Sequence, residues 1–262
     1  MLNNFPRRVL NRLQPITRRH VDRRPISDLF PWIVSDLFDT SFQSHDIASL
    51  FCPTSVNSTS TCLLVAFNSA GVEILRQIIP VQSLYKSPIS LSFLLRSSSF
   101  EFGTFSLFHN HNPDILVGTP SVLSDRGYAY FTQRHSDFRH YVHGNFDAVT
   151  LNRHGRVTSL GGISFFNRTY NFQYSFSRHF DYDLFFVNPT SSPQSIHIYE
   201  SLSQSIHNLK CIDSFTLSSR GSHIFRYRPS HDCAFLAFRS KIVLCRPICF
   251  KRVGSAFDVF HA

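Results

Sequence analysis

Residues 170–176, YNFQYSF, set Tyr170, Phe172, Tyr174 and Phe176 in alternation with Asn171, Gln173 and Ser175. Successive side chains of an extended chain point to opposite sides, so one face here is wholly aromatic and the other wholly polar. That is the signature of a half-buried β-strand. Working outward, LFFVN at 184–188 runs into a turn rich in Pro and Ser, and short apolar or alternating runs follow at 195–199, 214–217, 223–227, 233–238, 242–245 and 248–251. Upstream, LLVAFN at 63–68 is closed by the turn sequence Asn68-Ser-Ala-Gly71, and further candidate strands lie at 72–80, 89–95, 100–108 and 128–132. Turns recur about every ten residues, the rhythm of antiparallel sandwiches and barrels. Residues 26–50 carry Asp28-Leu29-Phe30 and Asp36-Leu37-Phe38 around Pro31-Trp32 without a clean period, and read as an irregular strand or a short helix. No run supplies an apolar stripe of helical period over ~12 residues.

Composition agrees. The chain has 262 residues, 42% hydrophobic and 16% charged, with 28 Phe. That is too apolar for a disordered chain, and broad aromatic rings suit a pleated sheet. The formal charge of +9 is concentrated at one end. Residues 1–24 hold Arg7, Arg8, Arg12, Arg18, Arg19, Arg23 and Arg24 against Asp22, a net of +6, leaving +3 for the other 238 residues. The basicity therefore belongs to an arm, through which nucleic acid or anionic lipid could be met, while the body is close to neutral. Prolines and arginines interrupt any signal-like apolar run, and no stretch is long and apolar enough to span a membrane as a helix. With six cysteines and no CxxC pair, a reducing, cytoplasmic setting is expected. Cys233 and Cys245 fall in apolar runs, where cysteine behaves as a small buried hydrophobe.

The two halves echo each other. LVAFN at 64–68 and LFFVN at 184–188 both end in Asn and a turn. Downstream, 102–108 matches 233–238, 128–131 matches 247–250, and Tyr141-Val-His143 matches Val259-Phe-His261. These echoes suggest an internal duplication with its boundary near 133–145. The expected fold is all-β: a basic arm at 1–26 and two tandem antiparallel β-sandwich, jelly-roll-like domains at 27–140 and 141–262. The order of an apolar strand, Asn, a turn, an amphipathic strand, a basic-polar strand and two terminal strands resembles the small β-sandwich of the sensory-rhodopsin-transducer type, seen twice. It is also similar to tandem β-sandwich proteins of bacterial surface-sugar gene clusters. The resemblance implies a non-catalytic, oligomer-prone sandwich that binds something, and it carries no functional residue.

Chemistry-bearing motifs are sparse. There is no GxSxG elbow, no phosphate loop and no dinucleotide fingerprint. His109, His111 and Asp114 have the local spacing of metal ligands, but a tight site needs ligands from elsewhere, and a polar hairpin loop explains them better. No metal or other cofactor is expected. Arg139, His140, Tyr141 and His143 mix cationic, imidazole and aromatic groups of the kind that contact a sugar or phosphate, and equally suit a linker between domains. In 223–228 (HIFRYR), His223, Phe225 and Tyr227 share one strand face and Ile224, Arg226 and Arg228 the other, an aromatic core face under a basic solvated one. The function expected is a non-catalytic binding or assembly module for carbohydrate or a protein partner, and a homo-oligomer or a protein partner is expected. The alternatives are a structural component of a viral or phage particle and a jelly-roll-type metal-dependent enzyme.

Overall fold

The computed structural model describes residues 26–45, 61–96, 101–109, 126–134, 138–146, 148–160, 162–201, 208–242, 246–254 and 256–261. The basic arm at 1–24, together with Cys52, His111, Asp114 and Cys245, lies outside them. In the first half the chain forms β1 (Ser27–Val34), β2 (Phe38–Ser44), β3 (Thr61–Asn68), β4 (Glu73–Pro80), a short helix α1 (Val81–Lys86), β5 (Ile89–Ser90), a second short helix α2 (Leu91–Leu95), β6 (Glu101–His109), β7 (Gly127–Gln133) and β8 (Arg139–His143). Three short strands follow: β9 (Asn145–Phe146) and the hairpin β10 (Val149–Leu151) and β11 (Val157–Ser159). The second half forms β12 (Ile163–Asn171), β13 (Asp181–Val187), β14 (Gln194–Ser201), β15 (Lys210–Leu217), β16 (Ser222–Tyr227), β17 (Phe235–Ile242), β18 (Ile248–Val253) and β19 (Ala256–His261). The fold is all-β with antiparallel pairing, consistent with a β-sandwich.

Four sheets carry the architecture: β4-β3-β6-β1-β9, β5-β2-β7-β8, β12-β17-β14-β15 and β16-β13-β18-β19. Number the strands one to eight from β1, and again from β12. The orders 4-3-6-1 and 5-2-7-8 then occur in both halves, with β9 added beyond β1 in the first.

The residues of β1 explain its place. Pro31 has no N–H to give, which a central strand rarely tolerates. Here β9 pairs β1 only at Asp28 and Leu29, so the flank at Pro31 needs no donor. Trp32 faces Gly103 across the β1–β6 ladder, and its indole N–H donates to Phe67 O at 3.0 Å. Only glycine fits at 103, because a Cβ there would stand 2.0 Å from the same carbonyl.

The sheet β16-β13-β18-β19 is buried on both sides. Tyr182, Leu184, Phe186, Phe225, Tyr227 and Cys249 enter one apolar cluster with β12, β14 and β17, while Phe185, Val187, Ile248, Phe250, Phe257 and Val259 enter the cluster of the first half. A strand covered on both faces reads as a continuous apolar run, which is why LFFV at 184–187 shows no alternation. Aromatic contacts stitch this boundary: Phe131 with Phe250 (ring centroids 4.9 Å), Phe38 with Phe257 (5.2 Å) and Phe102 with Phe185 (5.6 Å). A second contact joins two turns. Ser222 N–H donates to Ser69 O at 2.9 Å, and Gly71, at φ +81°, lies flush against Ser219.

Several expectations are corrected. Residues 91–95, read as part of a strand, are helical, with the Ser90 side chain accepting from Phe93 N–H at the N-terminus. Residues 26–45 resolve into β1 and β2. Around 170–176, β12 ends at Asn171; beyond it Phe172 N–H donates to Leu236 O at 2.9 Å and Phe176 bridges to Ala234, and Phe172 and Phe176 are buried while Gln173 is exposed. Cys233 is not buried: it is exposed and left-handed, at φ +59°.

Candidate functional site

β7 and β8 pair antiparallel with Tyr128 opposite His143, Tyr130 opposite Tyr141 and Thr132 opposite Arg139. Cross-strand partners share a sheet face, so these six side chains stand together on one side. β2 continues the face with Asp39, Ser41 and Gln43, which pair with Thr132, Tyr130 and Tyr128. The opposite face, carrying Phe42, Ala129, Phe131 and Val142, is core. The outward face is a platform of three tyrosines interleaved with polar groups.

Its parts are held in place. Tyr141, 63% exposed, packs edge-on against Tyr128 at 5.2 Å and lies 6.1 Å from Tyr130. Tyr130 Oη donates to Gln43 Oε1 at 3.1 Å, and Gln43 Nε2 donates to Tyr85 O at 3.0 Å. The Arg139 guanidinium sits 5.8 Å over the Tyr130 ring, a cation–π distance. The Asp39 carboxylate accepts from the hydroxyls of Ser90 and Ser92, which fixes the far margin.

Three of the four residues expected to contact a ligand, Arg139, Tyr141 and His143, therefore share this face. His140 does not. Strand alternation turns it toward β19, where Nδ1 lies 3.2 Å from Asp258 Oδ1 and the ring packs on Phe257 at 4.7 Å. Tyr128 and Tyr130 escaped the sequence reading, although YAYF at 128–131 carries the alternation; nothing local shows that β8 lies beside them.

Of the metal candidates only His109 is described, and it is committed to protein partners. It is wholly buried, with Nε2 3.2 Å from Asp28 Oδ2 and Nδ1 3.5 Å from Cys62 Sγ. Arg126 Nη1 approaches the same carboxylate at 3.7 Å. Burial opposes a charged imidazole, but the Asp28 and Cys62 partners outweigh it and raise the His109 pKa to about 9. The cluster joins the ends of β1, β3 and β6 to the start of β7, with His109, Asp28 and Cys62 almost wholly buried. Among the described residues no group of three or more His, Cys, Asp or Glu is placed to hold a metal ion. No described helix is long and apolar enough to cross a membrane.

Compared with protein-family models and with curated protein sequences, the chain matches none.

Proposed function

We propose that the chain is a non-catalytic binding module whose tyrosine platform on β2, β7 and β8 recognises carbohydrate. The observation that carries this reading is the juxtaposition of Tyr128, Tyr130 and Tyr141 with Gln43, Arg139 and His143 on one solvent-facing sheet surface. Tyrosine rings offer flat apolar area to the C–H faces of a sugar, and their hydroxyls and the neighbouring amide offer partners to its hydroxyl groups. A strand of nucleic acid would want more cations than Arg139 and His143, set beside the Asp39 carboxylate, supply.

The scaffold supports the module reading. We infer two tandem sandwich units related by duplication, since 4-3-6-1 and 5-2-7-8 occur twice. That order is a jelly roll whose first strand has moved to the end of the chain. The division falls between His143 and Ile163, because a boundary at 140/141 would cut β8.

The test is retention of the protein on a panel of immobilised polysaccharides, for the native chain and for Tyr141→Ala and Tyr128→Ala. Retention of the native chain and its loss in both variants, with unchanged circular dichroism, is the expected outcome. Retention undiminished in both would remove the platform from the function.

A second reading, assembly into a larger particle, draws on β12. There Phe165 and Phe166 are 86% and 74% exposed on an edge strand whose register with β17 shifts between Ile163 and Arg168. Exposed aromatic edges serve as pairing surfaces between copies. Light scattering of the native chain against Phe165→Ser separates the two: an oligomer dispersed by that change favours assembly.

A further inference from the structure

Beside the platform, where β8 meets β19, His261 Nε2–H donates to the carbonyl of His143 at 2.9 Å. His261 also lines a cleft of about 390 Å³, with Tyr170, Asn171, Gln173, Phe238 and Arg246 around it. That volume is within the range of small-ligand sites.

The cleft has a definite chemical character. Among the described residues, the Arg246 guanidinium makes no ion pair and no carboxylate lines the walls. An unpaired guanidinium facing a cavity without acidic groups selects an anion, and its fork matches a carboxylate. Asn171 and Gln173 each bring a donor and an acceptor, the complement of neighbouring sugar hydroxyls. Tyr170, half-buried, stacks on the buried ring of Phe238 at 5.1 Å with planes 11° apart, so the core holds one aromatic ring in place at the apolar side of the cleft. His261 completes the lining as a neutral group. Nε2 holds the proton given to His143, and Nδ1 is buried without a partner among the described residues, so a second proton there would find no acceptor among them.

We propose that this cleft binds a carboxylate-bearing sugar residue of the glycan lying on the platform, with Arg246 pairing the carboxylate. The proposal rests on the platform reading and gives it a substrate class: acidic, uronate-containing polysaccharide.

The experiment takes each polysaccharide that the native full chain retains and compares it with its carboxyl-reduced form, by affinity electrophoresis. The expected result is that retained polysaccharides carry uronate and that carboxyl reduction weakens binding at least about tenfold, the scale of one lost charge-assisted pair. The Arg246→Gln variant should bind both forms equally weakly, and Asn171→Ala, which removes a partner for hydroxyls that both forms carry, should weaken both while keeping the preference for the acidic one. Both positions are exposed, so both variants should fold. Equal binding of native and reduced polysaccharide, or a preference for acid that survives Arg246→Gln, overturns the cleft while leaving the platform standing. Competition by inorganic phosphate as effective as by free glucuronate overturns the sugar-acid assignment. Failure to retain any polysaccharide in the panel overturns both readings together.

Discussion

His109 Nε2 lies 3.2 Å from the Asp28 carboxylate, with both residues shut off from solvent at the meeting of β1 and β6. Cys62 Sγ holds the other ring nitrogen at 3.5 Å, so the ring acts as a cationic bridge between two strand ends. Because the folded pKa of His109 is raised to about 9, above the ordinary histidine value, the folded state binds this proton more tightly than the unfolded chain. Its contribution is therefore full below pH ~6.5 and is lost as pH rises through about 9. Urea melts between pH 6 and 9.5 should show stability falling across that window, and His109→Gln should flatten the fall. Leaving Asp28 with Arg126 alone, at 3.7 Å, should also cost stability at pH 6, up to roughly 3–5 kcal/mol. A pH-independent native melt would show that the ring is neutral.

Phe172 packs against Phe176, Phe186 and Phe238 within the second apolar cluster, while Gln173 next to it is exposed. Phe172→Ala should cost about 3–5 kcal/mol, the range for truncating a buried aromatic. Gln173→Ala should stay within about 0.5 kcal/mol. Equal effects in denaturant melts would contradict the burial pattern.

That contrast was legible in the sequence because period-two alternation reports which side chains are buried, whatever the ladder does. What it could not report is where pairing stops: the β12–β17 ladder ends at Asn171, with one further bond from Phe172 N–H to Leu236 O. The apolar run 91–95 is too short for its period to separate strand from helix, and the decisive signal was the capping Ser90. Of the echoes between halves, 102–108 with 233–238, 128–131 with 247–250, and 141–143 with 259–261 match β6 with β17, β7 with β18 and β8 with β19, strands of equal rank in the two halves. The pair LVAFN and LFFVN matches β3 with β13, which have different ranks; the likeness is of composition alone. The platform was half visible, since Arg139, Tyr141 and His143 share a strand. The β7–β8 register that adds Tyr128 and Tyr130, and the approach of Arg246 to His261, are set by tertiary packing.

His261 should act on the opposite side of the pH scale from His109. Burial, aided by the nearby His143 and Arg246 charges and opposed by the bond to the His143 carbonyl, lowers its pKa below the ordinary value. The unfolded chain then binds the proton more readily, so stability is full above pH ~6.5 and declines as pH falls below it. Native melts between pH 7 and 5 should weaken, and His261→Gln should remove part of the decline. A variant with an unchanged slope would mean that His261 does not titrate differently in the folded state.

Gly71 should be intolerant of any side chain. It sits at φ +81°, and an added Cβ would stand 1.8 Å from the backbone oxygen of Ser219, across the contact between the two turns. Gly155, at φ +71°, has nothing within 4 Å of the same added atom. Gly155→Ala therefore pays only left-handed strain, about 1–2 kcal/mol. Gly71→Ala adds a backbone clash of roughly 1–3 kcal/mol more. Thermal melts showing the two equal would mean that the turns separate freely.

Thiol reactivity reads the packing of both halves in one measurement. Cys211 and Cys233 are exposed, whereas Cys62 and Cys249 are buried, Cys62 against His109 and Cys249 in the second apolar cluster. Alkylation needs both access and thiolate. Burial first, then the charges of Asp183 and Asp258, push the Cys249 thiol well above its ordinary range, so raising the pH to 9 will not expose a nucleophile there. Iodoacetamide on the native protein should therefore modify Cys211 and Cys233, and modify Cys62 and Cys249 only once denaturant has been added. Peptide-resolved mass spectrometry keeps Cys52 and Cys245 apart from these four. Native labelling of Cys62 at the rate of Cys233 would show that the buried His109 cluster opens on its own, and that the strand ends it ties together are a mobile part of the fold.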